Sequence, residues 1–402
     1  MLKKINSFVH PPARHGNPVF ITGVMPVSKI SIMNKQTIPV RSKRIISIDA
    51  LRGFDMFWIS SGDAFFVALF AFLNTPFFGR LALQLDHPAW TGFRFYDEIF
   101  PLFLFIMGCV MPLSITRRLE RGDSRKTLYL HILQRTLLLF LLGLVYNGLF
   151  NFDFHLQRWS GVLQRFAVTY FFASVIVMNF KAKGQLIWAG VILAVYWLVL
   201  LLIPAPGFRA YDLTPQGNLC GYVDRMMLPG SFCCYTYGDN EGILTMFPAI
   251  SSVLFGVLAG RWLLGEAGNL VKIRNLLVTG GSFIAGALLW SLLFPVNKYL
   301  WTGSYVLLTS GIAFLLLCLF FWIIDVKGYR KWAFPFIVIG LNPITIYVIQ
   351  GLFDFGIVVE IFVHGFAGSF GSFQPVFFQF CIIAVKWLFL YFLYRQKIFL
   401  KV

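Results

Sequence analysis

Charge is scarce in this chain: only 13% of its 402 residues are Asp, Glu, Lys or Arg, and acidic residues number 17 against 34 basic ones. So little charge excludes an ordinary soluble domain of this length, whose surface would need far more. The net charge of +17 would suit nucleic acid, but no basic face carries interleaved aromatics, so nucleic acid is not an expected partner. Histidine is rare as well, and the six cysteines show no metal-ligand spacing. With no histidine beside Cys220, Cys233 and Cys234, zinc is not expected there, nor any metal elsewhere. The sequence also lacks an internal repeat and a loop long enough to fold separately. Its N-terminus lacks the unbroken apolar core of a cleavable signal peptide.

What is abundant is apolar surface, at 58% of residues, with 46 Phe among them. Ten apolar stretches approach the ~20 residues that span hydrocarbon. They run at about 49–72, 99–116, 132–150, 160–180, 186–204, 244–264, 273–294, 304–325, 334–353 and 376–394. The fold expected is an all-α polytopic bundle of about ten transmembrane helices in a lipid bilayer. Of the 34 Lys and Arg, 24 fall in connections on one side and 6 on the other. The positive-inside rule then places both termini in the cytoplasm and the long connections 73–98 and 205–243 outside. Residues 1–44 read as a disordered or mis-annotated cytoplasmic lead with an alternative start at Met33, and 45–402 as a single transmembrane domain. Cys109, Cys318 and Cys381 read as packing residues, while Cys220, Cys233 and Cys234 share one outer loop where a disulfide is possible.

Ionisable groups in hydrocarbon cost at least ~2.5 kcal/mol each on insertion scales, so each asks for a partner or a function. In the first span Asp49 and Arg52 are three apart and can pair on one helix face. Asp55 and Asp63 lie deeper without an obvious local partner. Gln134-Arg135 and Gln164-Arg165 place two guanidiniums in spans three and four, suited either to phosphate or to interhelical ion pairs. The 73–98 connection holds Asp86, His87, Trp90, Arg94, Tyr96, Asp97 and Glu98. His87 is the residue there best suited to proton or acyl transfer, with Asp86 and Asp97 to orient it and Trp90 as a flat face for a sugar. A merely solvated loop histidine is the plain alternative. The acidic bias of 205–243 suits an amine-bearing substrate, and Asn297, Lys298, Trp301 and Tyr305 crowd the mouth of a helix. Pro335, Gly340, Asn342 and Pro343 interrupt the ninth span, as cavity-lining breaks and packing kinks both do.

Several of these residues, His87 among them, fall within stretches that resemble the heparan-alpha-glucosaminide N-acetyltransferase family of transmembrane acetyltransferases. The stretches are SIDALRGFD (47–55), HPAWTGF (87–93), FPLFLFIMG (100–108), GVLQRFAVTYF (161–171), GYVDRMMLPG (221–230), EGIL (241–244), PVNKYLWTGSYV (295–306) and DVKG (325–328). All eight occur in order; the extra lumenal domain of the lysosomal enzyme is not among them. The resemblance implies transfer of acetyl from cytoplasmic acetyl-CoA to a glucosamine amine across the membrane, with His87 essential. On this reading Asp97 or Asp63 holds the His87 ring. Arg52, Arg135, Gln164 and Arg165 meet CoA, and Trp90, Glu241, Asn297, Lys298 and Trp301 contact the sugar. A sugar transporter and an envelope-glycan O-acetyltransferase are the competing functions. A multi-pass inner-membrane location is expected, with an amino sugar or glycan as substrate and a homodimer as an open option.

Overall fold

The computed structural model describes residues 45–400, so the 1–44 lead and any start at Met33 lie outside the described residues. From Ile45 onward the chain is a helical bundle. Its first half comprises α1 (Ile46–Phe57), α2 (Asp63–Leu73), α3 (Pro76–Leu83), α4 (Ile99–Glu120), α5 (Arg125–Tyr146), α6 (Val162–Asn179) and α7 (Ala182–Leu202). Then come α8 (Leu219–Met227), α9 (Met246–Leu264), α10 (Asn269–Ser291) and α11 (Gly303–Phe320). The last quarter holds α12 (Phe334–Leu341), α13 (Pro343–Leu352), α14 (Phe355–Ala367) and α15 (Gln374–Arg395). One two-stranded antiparallel ribbon, β1 (Cys234–Tyr235) with β2 (Gly238–Asp239), stands in the longest connection.

Nine segments among the described residues are long and apolar enough to cross a bilayer, and the pair Lys331–Leu341 and Pro343–Leu352, bent by 62°, makes a tenth. Each expected span has its counterpart. The bend falls at Asn342, where Pro343 cannot donate to a continuing ladder. Asn342 instead ties the break to the chain's end, donating to Ile398 O at 3.0 Å and accepting from Leu400 N at 3.1 Å.

One stretch was read differently from sequence. Residues 354–375, which lie between the ninth and tenth apolar stretches, contain the thirteen-residue α14. Asp354 caps its start by accepting from Gly356 N at 2.7 Å. The chain then turns through Gly371, at φ 53°, and α15 packs back on Val359, Val363 and Ala367. At about 20 Å, α14 is too short to span hydrocarbon alone. His364 stands on this helix beside Glu360, 2.6 Å away.

The core lies along α1, α4, α6, α9 and α11. α4 and α9 are the most enclosed, with 61% and 72% of their apolar windows buried against 17% for α10. α1 crosses α12 where Gly53 and Gly340 meet: a Cβ on Gly53 would lie 1.6 Å from Phe336 O, and one on Gly340 2.0 Å from Asp49 O. Small residues let membrane helices approach this closely. The connections carrying residues 84–98, 153–160, 205–245 and 293–302 gather at one end, here called the long-loop end.

Candidate active site

His87 and Lys298, on two of the loops that hold the candidate residues, are 211 residues apart in sequence and meet at the long-loop end. Gly92 N donates to Val296 O at 2.9 Å, and Trp90 stacks on Tyr299 with ring planes 13° apart. The 295–302 segment is rigid because it satisfies itself. Asn297 Oδ1 accepts from Leu300 N at 2.9 Å, and Thr302 Oγ1 accepts from Asn297 N at 3.1 Å while capping α11.

Across that junction His87 Nδ1 lies 2.7 Å from Asp97 Oδ1, and Lys298 Nζ lies 2.9 Å from His87 Nε2. Lys298 is also 3.5 Å from Asp97. An ammonium only donates, so Nε2 must accept and Nδ1 must carry the hydrogen given to Asp97. Asp97 is fully buried and locked in place. Its Oδ2 accepts from Arg94 N at 2.9 Å, and its backbone carbonyl accepts from Tyr305 Oη at 2.7 Å. His87 remains 35% exposed, so a substrate can reach it. Burial lowers the pKa of Lys298 despite the nearby Asp97 carboxylate.

The expected orienting groups sort differently. Asp97 is the one in contact with the ring. Asp86 instead turns to its own chain and to Arg94, accepting from His87 N at 2.8 Å and from Arg94 Nη1 at 3.3 Å. Asp63 accepts from Tyr96 Oη at 3.0 Å, and Tyr96 packs on the His87 ring at 5.3 Å, so Asp63 reaches the histidine only through Tyr96. Trp90 offers one face at most, because the other is stacked on Tyr299; its Nε1 donates to Leu213 O at 2.7 Å.

Beneath the dyad Asn297 and Trp301 are buried, and Arg165, fully enclosed, lies over the Trp301 ring at 4.3 Å. Arg165 Nη2 donates to Asn240 O at 2.6 Å and to Thr245 Oγ1 at 2.5 Å. Its Nε and Nη1, with Gln164 Nε2, Asn297 Nδ2 and Trp301 Nε1, are buried donors without a protein partner. Glu241 is bonded to Arg158, a residue that sequence reading passed over. An arginine beside an acidic loop was the available signal. Arg158 also clasps Asp239 at 2.5 and 2.7 Å. Burial would raise the Asp239 pKa, but Arg158 overrides it and holds the carboxyl below its usual range.

The four residues expected to meet CoA stand at different depths. Gln164 and Arg165 are within the first turn of α6 at the long-loop end. Arg52 is about 10 Å into α1 from the opposite end, donating to Gly340 O at 3.3 Å and 3.7 Å from Asp49. Arg135, near the middle of α5, lies over Tyr170 at 4.5 Å with its Nε unpartnered. Two carboxylates, Asp55 and Glu98, are buried within electrostatic reach of each other, and no oxygen of either is hydrogen-bonded. Among the described residues no group of three His, Cys, Asp or Glu could hold a metal. Cys233 and Cys234 are joined to each other, while Cys220 is buried against Tyr196 Oη.

No protein-family model matches the chain. It is 29% identical over 369 residues to a human protein named heparan-alpha-glucosaminide N-acetyltransferase, covering 77% of this chain and 53% of that one. The mouse protein of the same name is 27% identical over 368 residues, covering 76% and 53%. Over about three quarters of its own length the chain is thus similar to proteins of that name. It spans about half the length of the curated relatives it matches.

Proposed function

We propose that this chain is a member of the heparan-alpha-glucosaminide N-acetyltransferase family, a transmembrane N-acetyltransferase that moves acetyl from cytoplasmic acetyl-CoA to the amine of a glucosamine-type sugar at the outward-facing long-loop end. The observation that carries the reading is His87, exposed at that end and held by the buried Asp97 at 2.7 Å. A protonated amine cannot attack a thioester, so the reaction needs a base placed where the amine arrives. His87 Nε2 takes the amine proton, and Asp97 stabilises the imidazolium that results. Arg52 and Arg135 meet the CoA phosphates from the cytoplasmic half. Gln164 and Arg165, whose free donors are buried beside Trp301 and the start of α6, serve the thioester end. Trp90 and Glu241 border the sugar, with Asn297 and Trp301 supporting the loop that contacts it. An inner membrane is the proposed location.

Purified wild-type protein incubated with radiolabelled acetyl-CoA and glucosamine is expected to label the sugar, and His87→Ala is not. Undiminished transfer by the variant would remove the catalytic assignment. The bent pair at Asn342 is the feature that favours transport instead. Vesicles that accumulate sugar without consuming acetyl-CoA would select that reading.

A further inference from the structure

Lys298 occupies the seat that an attacking amine must take. Its Nζ is 2.9 Å from His87 Nε2, 3.2 Å from His87 Nδ1 and 3.5 Å from Asp97 Oδ1. A general base acts on a proton within hydrogen-bond reach, and the ammonium within reach of His87 here is the protein's own. The side chain is only 11% exposed, so bulk water competes poorly for it. Its ammonium is already disfavoured by burial, which brings the nucleophilic free amine within easier reach.

We propose that Lys298 is an internal acetyl acceptor: when no sugar amine fills the site, the protein acetylates its own Lys298. The inference rests on the acetyl-CoA-dependent transfer proposed above. His87 Nε2 removes one proton from the Nζ ammonium, and the freed lone pair attacks the thioester carbonyl. The N–C bond forms and the C–S bond breaks. The departing thiolate takes the second Nζ proton, and His87 releases the first. One ammonium and one thioester thus become one amide, one thiol and one proton. The modified side chain is neutral, no longer donates an ammonium hydrogen to His87, and leaves an acetamide in the acceptor's place. Acceptor starvation therefore inactivates the enzyme. Because the product is an amide rather than an acyl-imidazole, this protein-borne acetyl resists hydroxylamine.

The test uses the purified full chain with radiolabelled acetyl-CoA, with and without excess glucosamine, followed by peptide mass spectrometry. Without acceptor, Lys298 is expected to gain one acetyl at least about tenfold faster than any other lysine, as its preset geometry demands. Glucosamine should slow that labelling severalfold, a comparison that needs no variant. A protein that acetylates glucosamine but leaves Lys298 unmodified after prolonged incubation overturns this inference alone. So does labelling that glucosamine does not slow and that heat-denatured protein shows equally. A protein that consumes no acetyl-CoA with any amine overturns both this inference and the transferase reading.

Discussion

Two groups of buried carboxylates in this molecule are treated in opposite ways. At the long-loop end Asp239 receives Arg158, Cys233 N at 2.9 Å and Glu241 N at 2.8 Å, while Asp224 receives Asp239 N at 3.2 Å and Ile243 N at 2.9 Å. Within the bundle Asp55 and Glu98 are as deeply buried, and none of their four oxygens has a hydrogen-bond partner. A buried charge costs several kcal/mol unless it is paired. The first group is therefore scaffold, holding the 205–245 connection over the site. The second contributes nothing to stability that a neutral group could not, which places its value in function. Asp97 joins the two worlds, since it is fully buried and satisfied yet spends one oxygen on His87.

The sharpest way to break the comparison is at that junction. Asp97→Asn should cut acetyl transfer by about a hundred- to ten-thousandfold, because an amide no longer stabilises the imidazolium. Initial rates on monodisperse protein measure it, and a loss under tenfold would deny Asp97 its role. Next in size is Arg158→Ala, which leaves Asp239 and Glu241 buried without their cation and should cost about 3–5 kcal/mol. Its thermal or denaturant midpoint in detergent should fall clearly; an unchanged midpoint would show that the network is not scaffold. By contrast Asp55→Asn and Glu98→Gln remove no partner. They should leave stability unchanged or raise it by about 1–2 kcal/mol while altering turnover. A midpoint that drops as far as in Arg158→Ala would erase the distinction.

The membrane architecture was legible because hydrocarbon demands long apolar runs, and all ten found counterparts. His87 and Asp97 were legible because they are close in sequence and chemically matched. Two things were hidden for physical reasons. α14 was missed because the segment from Phe355 to Ala367 is too short to read as a span and its start is set by a single aspartate cap. The contact of Lys298 with His87 was missed because periodicity and spacing carry no signal across 211 residues. Lys298 was singled out beside a helix mouth, but only the docking of Gly92 on Val296 brings it to the dyad. Asp63, which the resemblance offered as the alternative holder of the His87 ring, reaches it only through Tyr96.

A further contrast lies in how the loop scaffold responds to acid. Burial pushes Asp224 up to about 6 from its usual 3.8, against the pull of its two backbone N–H partners. A raised folded-state pKa means that the folded protein binds this proton more tightly than the unfolded chain. Stability from Asp224 therefore grows as pH falls through about 6 and levels off near 3.8, by at most about 3 kcal/mol. Asp239, held below its usual range by Arg158, acts with the opposite sign only below that window. Unfolding midpoints taken from about pH 7 to about pH 5 should rise in the wild type. The rise should be smaller in Asp224→Asn, whose side chain cannot titrate. Equal slopes in the two proteins would mean that Asp224 is ionised throughout, and that its two N–H bonds, not its burial, govern this corner of the scaffold.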